Sequence, residues 1–216
     1  LPMPFEPDMG DGKALAKADE AEQLARFDAA FAESRAQADF ILIDTPGGDT
    51  LLSRTAHGLA DQIVTPMNDS FVDFDLIGQV DAETFKVRRL SFYAELIFEA
   101  RKTRAIKERR EIDWVVVRNR VHHVEARNQQ RIDQALSELS KRVGFRVAQG
   151  LSERVIYREL FPSGLTLLDK GQLGDLGTSH LVARQELRAL VANLNLPQPS
   201  EGRSGVEAMP RATRAA

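Results

Sequence analysis

Asp44 closes a run of four large apolar residues, Phe40-Ile41-Leu42-Ile43, and is followed at once by Thr45-Pro46-Gly47-Gly48. A carboxylate at the tip of a buried strand, with glycine backbone behind it, suits a group that stands near Mg²⁺ while the turn approaches a terminal phosphate. The plainer reading is that Asp44 caps a turn made tight by Pro46 and Gly47. A second group of interest is basic. Arg127 and Arg131 stand four apart on one predicted helix and so share a face, and Arg154 and Arg158 repeat the spacing on the next short helix. Ordinary solvent exposure is the alternative for all four. Asn68, Asp69 and Ser70 follow a strand end and read either as a polar turn or as part of a seam between two copies. His122 and His123 are adjacent and point to different faces, while His57 and His180 stand alone, so no metal-ligand spacing is present. Without cysteine there is no disulfide and no thiolate metal site, as suits a reducing cytoplasm.

The elements that must position these residues alternate. Residues 18–38 carry Leu24, Phe27, Ala30 and Phe31 at helical spacing and lead into residues 40–43, whose unbroken apolar run predicts a strand covered on both faces. A short helix is expected over 50–59, a second buried strand over 62–65 ended by Pro66, and a helix over 72–87. Residues 90–111 read as a helix that starts in the core and leaves it, and 113–117 as a third strand. A helix over 125–142, capped by Gly144, precedes a short strand at 145–148, and a last helix spans 179–194. Strand and helix in alternation predict an α/β fold, a doubly wound, mostly parallel sheet with helices on both faces. Ligands bind such sheets at the carboxyl ends of the strands, where Asp44 and Asn119 both stand.

Net charge is only −3, yet acidic residues dominate the first fifty positions and basic ones dominate 101–131. Such a local excess is either a solvated helical face or a nucleic-acid contact. No apolar run approaches the roughly 20 residues of a membrane span. The stretch 1–17 reads as an irregular lead-in, 18–196 as the α/β domain, and the Pro- and Gly-bearing tail 197–216 as disordered.

Three stretches are more specific. DFILIDTPGGDT with ADQIVTPMNDSFVDFD (residues 39–75), DWVVVRNR with Glu125-Ala126-Arg127-Asn128, and RVIYRELFPSGLTLLD (residues 154–169) resemble, in that order, the MipZ family of ParA/MinD-type ATPases. The resemblance runs from about residue 20 to 194. It implies a P-loop NTPase fold, ATP and Mg²⁺ as cofactors, and an ATP-dependent homodimer that binds DNA without sequence preference. It further implies a centromere-binding ParB protein and the division protein FtsZ as partners, and a cytoplasmic, nucleoid-associated place. By the same implication Asp44 holds Mg²⁺ through water and Thr45 to Gly48 form the switch that senses the terminal phosphate. Asn119 reads the adenine edge, Arg120 stacks near the base, and Arg127, Arg131 and Arg154 meet DNA. An Asn amide suits that task, since its donor and acceptor lie in one plane like adenine N6 and N7, although it can equally satisfy backbone groups at a strand end.

The pattern departs from the family in one respect. No G-x-x-x-x-G-K-[ST] occurs, and Lys13 in Asp11-Gly12-Lys13 does not lie between a buried strand and a helix, so it is not assigned to phosphates. The resemblance therefore implies a chain incomplete at the N-terminus, with the phosphate loop upstream of Leu1, and 216 residues that alone neither bind ATP tightly nor hydrolyse it. Two alternatives stand beside this reading: a ParA-type partitioning ATPase, and a non-catalytic interaction module that keeps the fold. A MinD-like membrane helix is not supplied by the tail.

Overall fold

The computed structural model describes residues 16–68, 70–81, 87–121, 126–169 and 178–198. The chain forms two compact units, Leu1–Ala56 with Pro197–Ala216, and His57–Leu196. The stretches expected to be a lead-in and a disordered tail lie outside the described residues over 1–15 and 199–216, as do Asp69, His122, His123 and Glu125.

In the first unit, helix α1 (Ala16–Gln37) stacks Phe27 on Phe31, with ring centroids 6.1 Å apart. Residues 39–46 then run without helix or strand, which corrects the strand expected at Phe40–Ile43. Extended backbone becomes a strand only when a neighbour satisfies its N–H and C=O groups. Among the described residues none does so here, and Leu42 is 95% exposed. Helix α2 (Leu51–Leu59) begins behind a reciprocal cap, in which Ser53 N–H donates to Thr50 Oγ1 at 3.1 Å and Thr50 N–H donates to Ser53 Oγ at 3.0 Å. Serine thus does at the third helical position what Glu or Gln does in the usual capping box. The boundary between the units falls inside this helix.

The second unit is built on a parallel sheet of β1 (Gln62–Asn68), β4 (Asp113–Asn119) and β5 (Arg146–Ala148), in the order β1-β4-β5. Strand β4 is central and buried on both faces. Trp114 and Val116 join one core with Ile63, Met67, Ala94, Ile97 and Leu136, whereas Val115 and Val117 form another with Ala148 and the partly buried Leu190 and Leu194. Helices α4 (Phe92–Glu108) and α5 (Ala126–Val143) supply the first face, and α7 (Thr178–Asn193) the second. This is the predicted α/β arrangement, with a mostly parallel sheet covered by helices.

Two expectations need revision. Pro66 does not end β1, which runs to Asn68 and buries alternate residues Ile63, Thr65 and Met67. An edge strand tolerates a proline because its missing donor is not needed on the unpaired side. The helix expected over 72–87 is instead one turn, α3 (Phe71–Phe74), followed by the antiparallel pair β2 (Gly78–Val80) and β3 (Val87–Leu90). Gly78 breaks the helical pattern and admits close packing, since a Cβ there would lie 2.9 Å from Leu139 Cδ2. Helix α4 leaves the core over its basic half as expected, with Lys102, Ile106 and Lys107 exposed, and Arg104 is the exception. Arg104, only 7% exposed, donates from Nη1 to the carbonyls of Gly58 and Ala60, both at 3.1 Å, and from Nη2 to Asp61 at 2.8 Å.

At the amino ends of the strands Asp113 gathers three elements. It accepts from Arg146 Nη2 at 2.6 Å and Nε at 2.9 Å, and from Gln62 Nε2 at 2.8 Å, while Gln62 also donates to Leu194 O at 2.6 Å. Arg146, with Gln62 beside it, holds the Asp113 carboxyl below its ordinary range despite partial burial. Near the other end, Gly150 runs against β4, where a Cβ would stand 1.9 Å from Arg118 O.

Two outcomes follow. Gly150→Ala is expected to cost at least about 2 kcal/mol in urea unfolding, because backbone rather than a mobile side chain stands in the way. Because its folded pKa is depressed, Asp113 contributes stability above its unfolded value of about pH 4 that is lost as pH falls through the folded value. Asp113→Asn should therefore lower the urea midpoint modestly at neutral pH, with the gap to the parent closing near about pH 3. A gap that persists in acid would show that the carboxylate charge is not what joins these elements.

Candidate functional site

In the first unit, Asp44 is exposed and lies outside any helix or strand. It forms no hydrogen bond or ion pair with another described residue, so the turn-capping alternative is not what the structure has; Thr50 and Ser53 do the capping instead. Ser53 Oγ also donates to Gly48 O at 2.9 Å, tying the end of the turn to the helix behind it. Asp49 and Arg54 add a side-on pair, Nε and Nη2 each 2.6 Å from a carboxylate oxygen, which lowers the Asp49 pKa through its hydrogen bond to Arg54.

Gly47 and Gly48 are informative by what surrounds them. A Cβ added at either meets nothing within 4 Å, and neither backbone lies in the left-handed region. Neither local packing nor a special φ explains two successive glycines at this point. Pro46 and Thr45 complete the turn, Pro46 exposed and Thr45 half-buried.

In the second unit, the carboxyl ends of β1 and β4 bring two asparagines opposite each other, Asn68 in register with Asn119. The Asn68 N–H donates to Asp73 Oδ2 at 2.9 Å, which fixes the chain as it leaves β1. The Asn119 amide, half-buried, forms no hydrogen bond with another described residue, so it does not serve to satisfy backbone groups. Arg120 follows with φ 52, a left-handed conformation uncommon outside glycine. That residue turns the chain sharply off the strand end and is itself exposed.

The tip of β4 has a neighbour that sequence reasoning missed. Leu151 N–H donates to Arg118 O, and Val121 N–H to Leu151 O, both at 3.0 Å, and Val121 bridges Ser152 in parallel. Gly150 makes this approach possible, and the only sequence signal for it was a glycine shortly after a short strand. Asn119 and Arg120 are thus flanked by residues 150–153.

The arginines separate. Arg127 lies on α5, its side chain outside the described residues, and Arg131 is exposed one turn along the same helix. Arg154 is the N-cap of α6 (Val155–Leu160) rather than part of it, and its side chain is half-buried against Glu186. Arg158 is within 3.6 Å of Glu153. Of the histidines, His57 packs edge-on to Tyr93, and burial pushes its pKa down. Among the described residues no group of three His, Asp or Glu side chains could hold a metal ion, and no helix is long and apolar enough to cross a membrane.

The family model for the ATPase MipZ matches residues 1–198, a stretch that takes in the second unit and residues 1–56 of the first. No curated protein matches the chain significantly. With a match over most of its length, and a parallel sheet that leaves polar groups at its carboxyl ends, the chain belongs to the MipZ family of ATPases.

Proposed function

We propose that this protein is a nucleotide-dependent dimerisation switch that binds DNA without sequence preference and positions the division site by restraining FtsZ assembly, linked to chromosome segregation through a ParB-type protein. Family membership carries the coarser part, an ATPase of the ParA/MinD kind with a role in division-site positioning. The observation that supports the finer part is the Asn119 amide at the carboxyl end of β4, opposite Asn68, which forms no hydrogen bond with another described residue. In doubly wound sheets that end is where ligands enter.

Three groups of residues, each described within its own unit, are assigned to ATP with Mg²⁺. Asn119 would hold the base by its amide, Asp44 would hold the cation through water, and the Thr45 to Gly48 backbone would stand next to the terminal phosphate. Gly47 and Gly48 lack a packing or φ reason to be glycine, which supports close approach by something other than this chain. The nucleotide, when bound, supplies the terminal phosphate and metal charge that such a turn senses. Asn68 and Asp69 are assigned more weakly to the seam between protomers.

Doubling the exposed arginines of one face in a dimer converts weak contact into binding. Two or three phosphates per protomer become about four to six, with a log–log salt slope of roughly −4 to −5. Nucleotide state thereby sets whether the protein stays on the nucleoid.

The full-length gene product is expected to double its sedimenting mass with ATP and Mg²⁺, and Asp44→Ala to abolish that change while leaving the nucleotide-free mass as it was. A parent protein whose mass ignores ATP with Mg²⁺ refutes the switch. On a mixed-sequence duplex, Arg127→Ala with Arg131→Ala should flatten the salt slope of the dimer by at least about two. An unchanged slope removes this helix face from the DNA interface.

A further inference from the structure

Glu186 on α7 receives four hydrogen bonds on one carboxylate. Arg154 donates from Nη2 at 2.6 Å and from Nε at 3.1 Å, Ser152 Oγ at 2.9 Å, and Ser152 N–H at 3.3 Å. The Arg154 contacts use the Nε–Nη2 edge side-on, the edge that also grips phosphate oxygens two at a time. Although Arg154 occupies the N-cap of α6, with φ −137 and ψ 137, its side chain makes no cap bond there. Its commitment is to Glu186. Side-chain exposures of 24% for Arg154 and 14% for Glu186 place the pair at the edge of solvent, within reach of an incoming anion.

From this geometry we infer that Glu186 is an electrostatic latch on Arg154, its carboxylate occupying the guanidinium edge that a DNA phosphate requires. The inference rests on the DNA-binding reading of Arg154 given above. A closed pair is locally neutral and displaces few counterions from DNA, so Arg154 adds little to binding while Glu186 holds it. The pairing keeps Glu186 below the ordinary glutamate range, so it is charged at neutral pH. Ser152, which supplies two of the four bonds, is itself bridged to Val121, two residues beyond Asn119. The latch is therefore held in register with the tip of β4, next to the residues assigned to the base.

The inference is tested with the full-length gene product, ATP and Mg²⁺, by anisotropy of a short labelled mixed-sequence duplex across a salt series. Glu186→Gln keeps an acceptor for Ser152 and removes the charge. It is expected to bind roughly three- to tenfold tighter, with the dimer's salt slope steeper by about two. Arg154→Ala should change the parent little yet erase the whole gain in the Glu186→Gln background. Ser152→Ala, which removes one donor, should move affinity the same way by less, and it decides the matter if a circular dichroism melt shows Glu186→Gln poorly folded. Unchanged or weaker binding by Glu186→Gln, or a gain that survives Arg154→Ala, overturns the latch. Arg131→Ala separates the two failures: if it weakens binding while Glu186→Gln does nothing, the latch alone is wrong, and if neither has an effect, the DNA reading of this face falls and the latch with it.

Discussion

The burial of β4 on both faces is the constraint from which the second unit follows. Trp114 and Val116 need cover on one side and Val115 and Val117 on the other, so helices must lie on both faces of the sheet. Trp114 adds a polar demand, since its buried Nε1–H needs an acceptor. Thr65 Oγ1 on the neighbouring strand accepts at 3.0 Å, and Thr65 in turn bonds the Tyr93 hydroxyl at 2.8 Å. One indole thereby ties β4 to β1 and α4. Burial pushes the Tyr93 hydroxyl above its ordinary pKa, and the hydrogen bond to Thr65 offsets part of that rise.

The two ends of the sheet do different work. At the amino end Asp113, Gln62 and Arg146 satisfy one another and the last turn of α7, where Arg146 Nη1 also donates to Asn193 O at 2.8 Å. At the carboxyl end Asn68 and Asn119 face each other, and a left-handed Arg120 turns the chain away. Held at one end, the sheet leaves polar groups for ligands at the other.

Much of this was legible in the sequence. An unbroken Trp-Val-Val-Val run announced the central strand, and apolar spacing at Ile132, Leu136 and Leu139 announced α5, because both patterns encode burial that local residues alone can express. Gly144, with φ 79, ends α5 as expected. The Phe40 to Ile43 run shows where that logic stops, since an apolar run states a preference for burial while a strand needs ladder partners from elsewhere in the chain. The 72–87 segment was misread because its valines and Gly78 serve a hairpin packed on Leu139, a distant contact. Glu186 carried no signal at all, being one glutamate on a helix of mixed character until the fold set it against Arg154. The family resemblance was carried by the motif blocks, and it pointed to residues whose local roles the fold then separated.

Arg104 has a consequence for how the molecule responds to its ionic surroundings. Two of its four partner groups, beside the carboxylates of Asp61 and Glu108, are neutral carbonyls, reached by a guanidinium almost wholly withdrawn from solvent. Dissolved ions screen such bonds far less than they screen charges in open water. A brine strong enough to silence the exposed ion pairs would leave the junction between α2, β1 and α4 fastened through its carbonyl bonds.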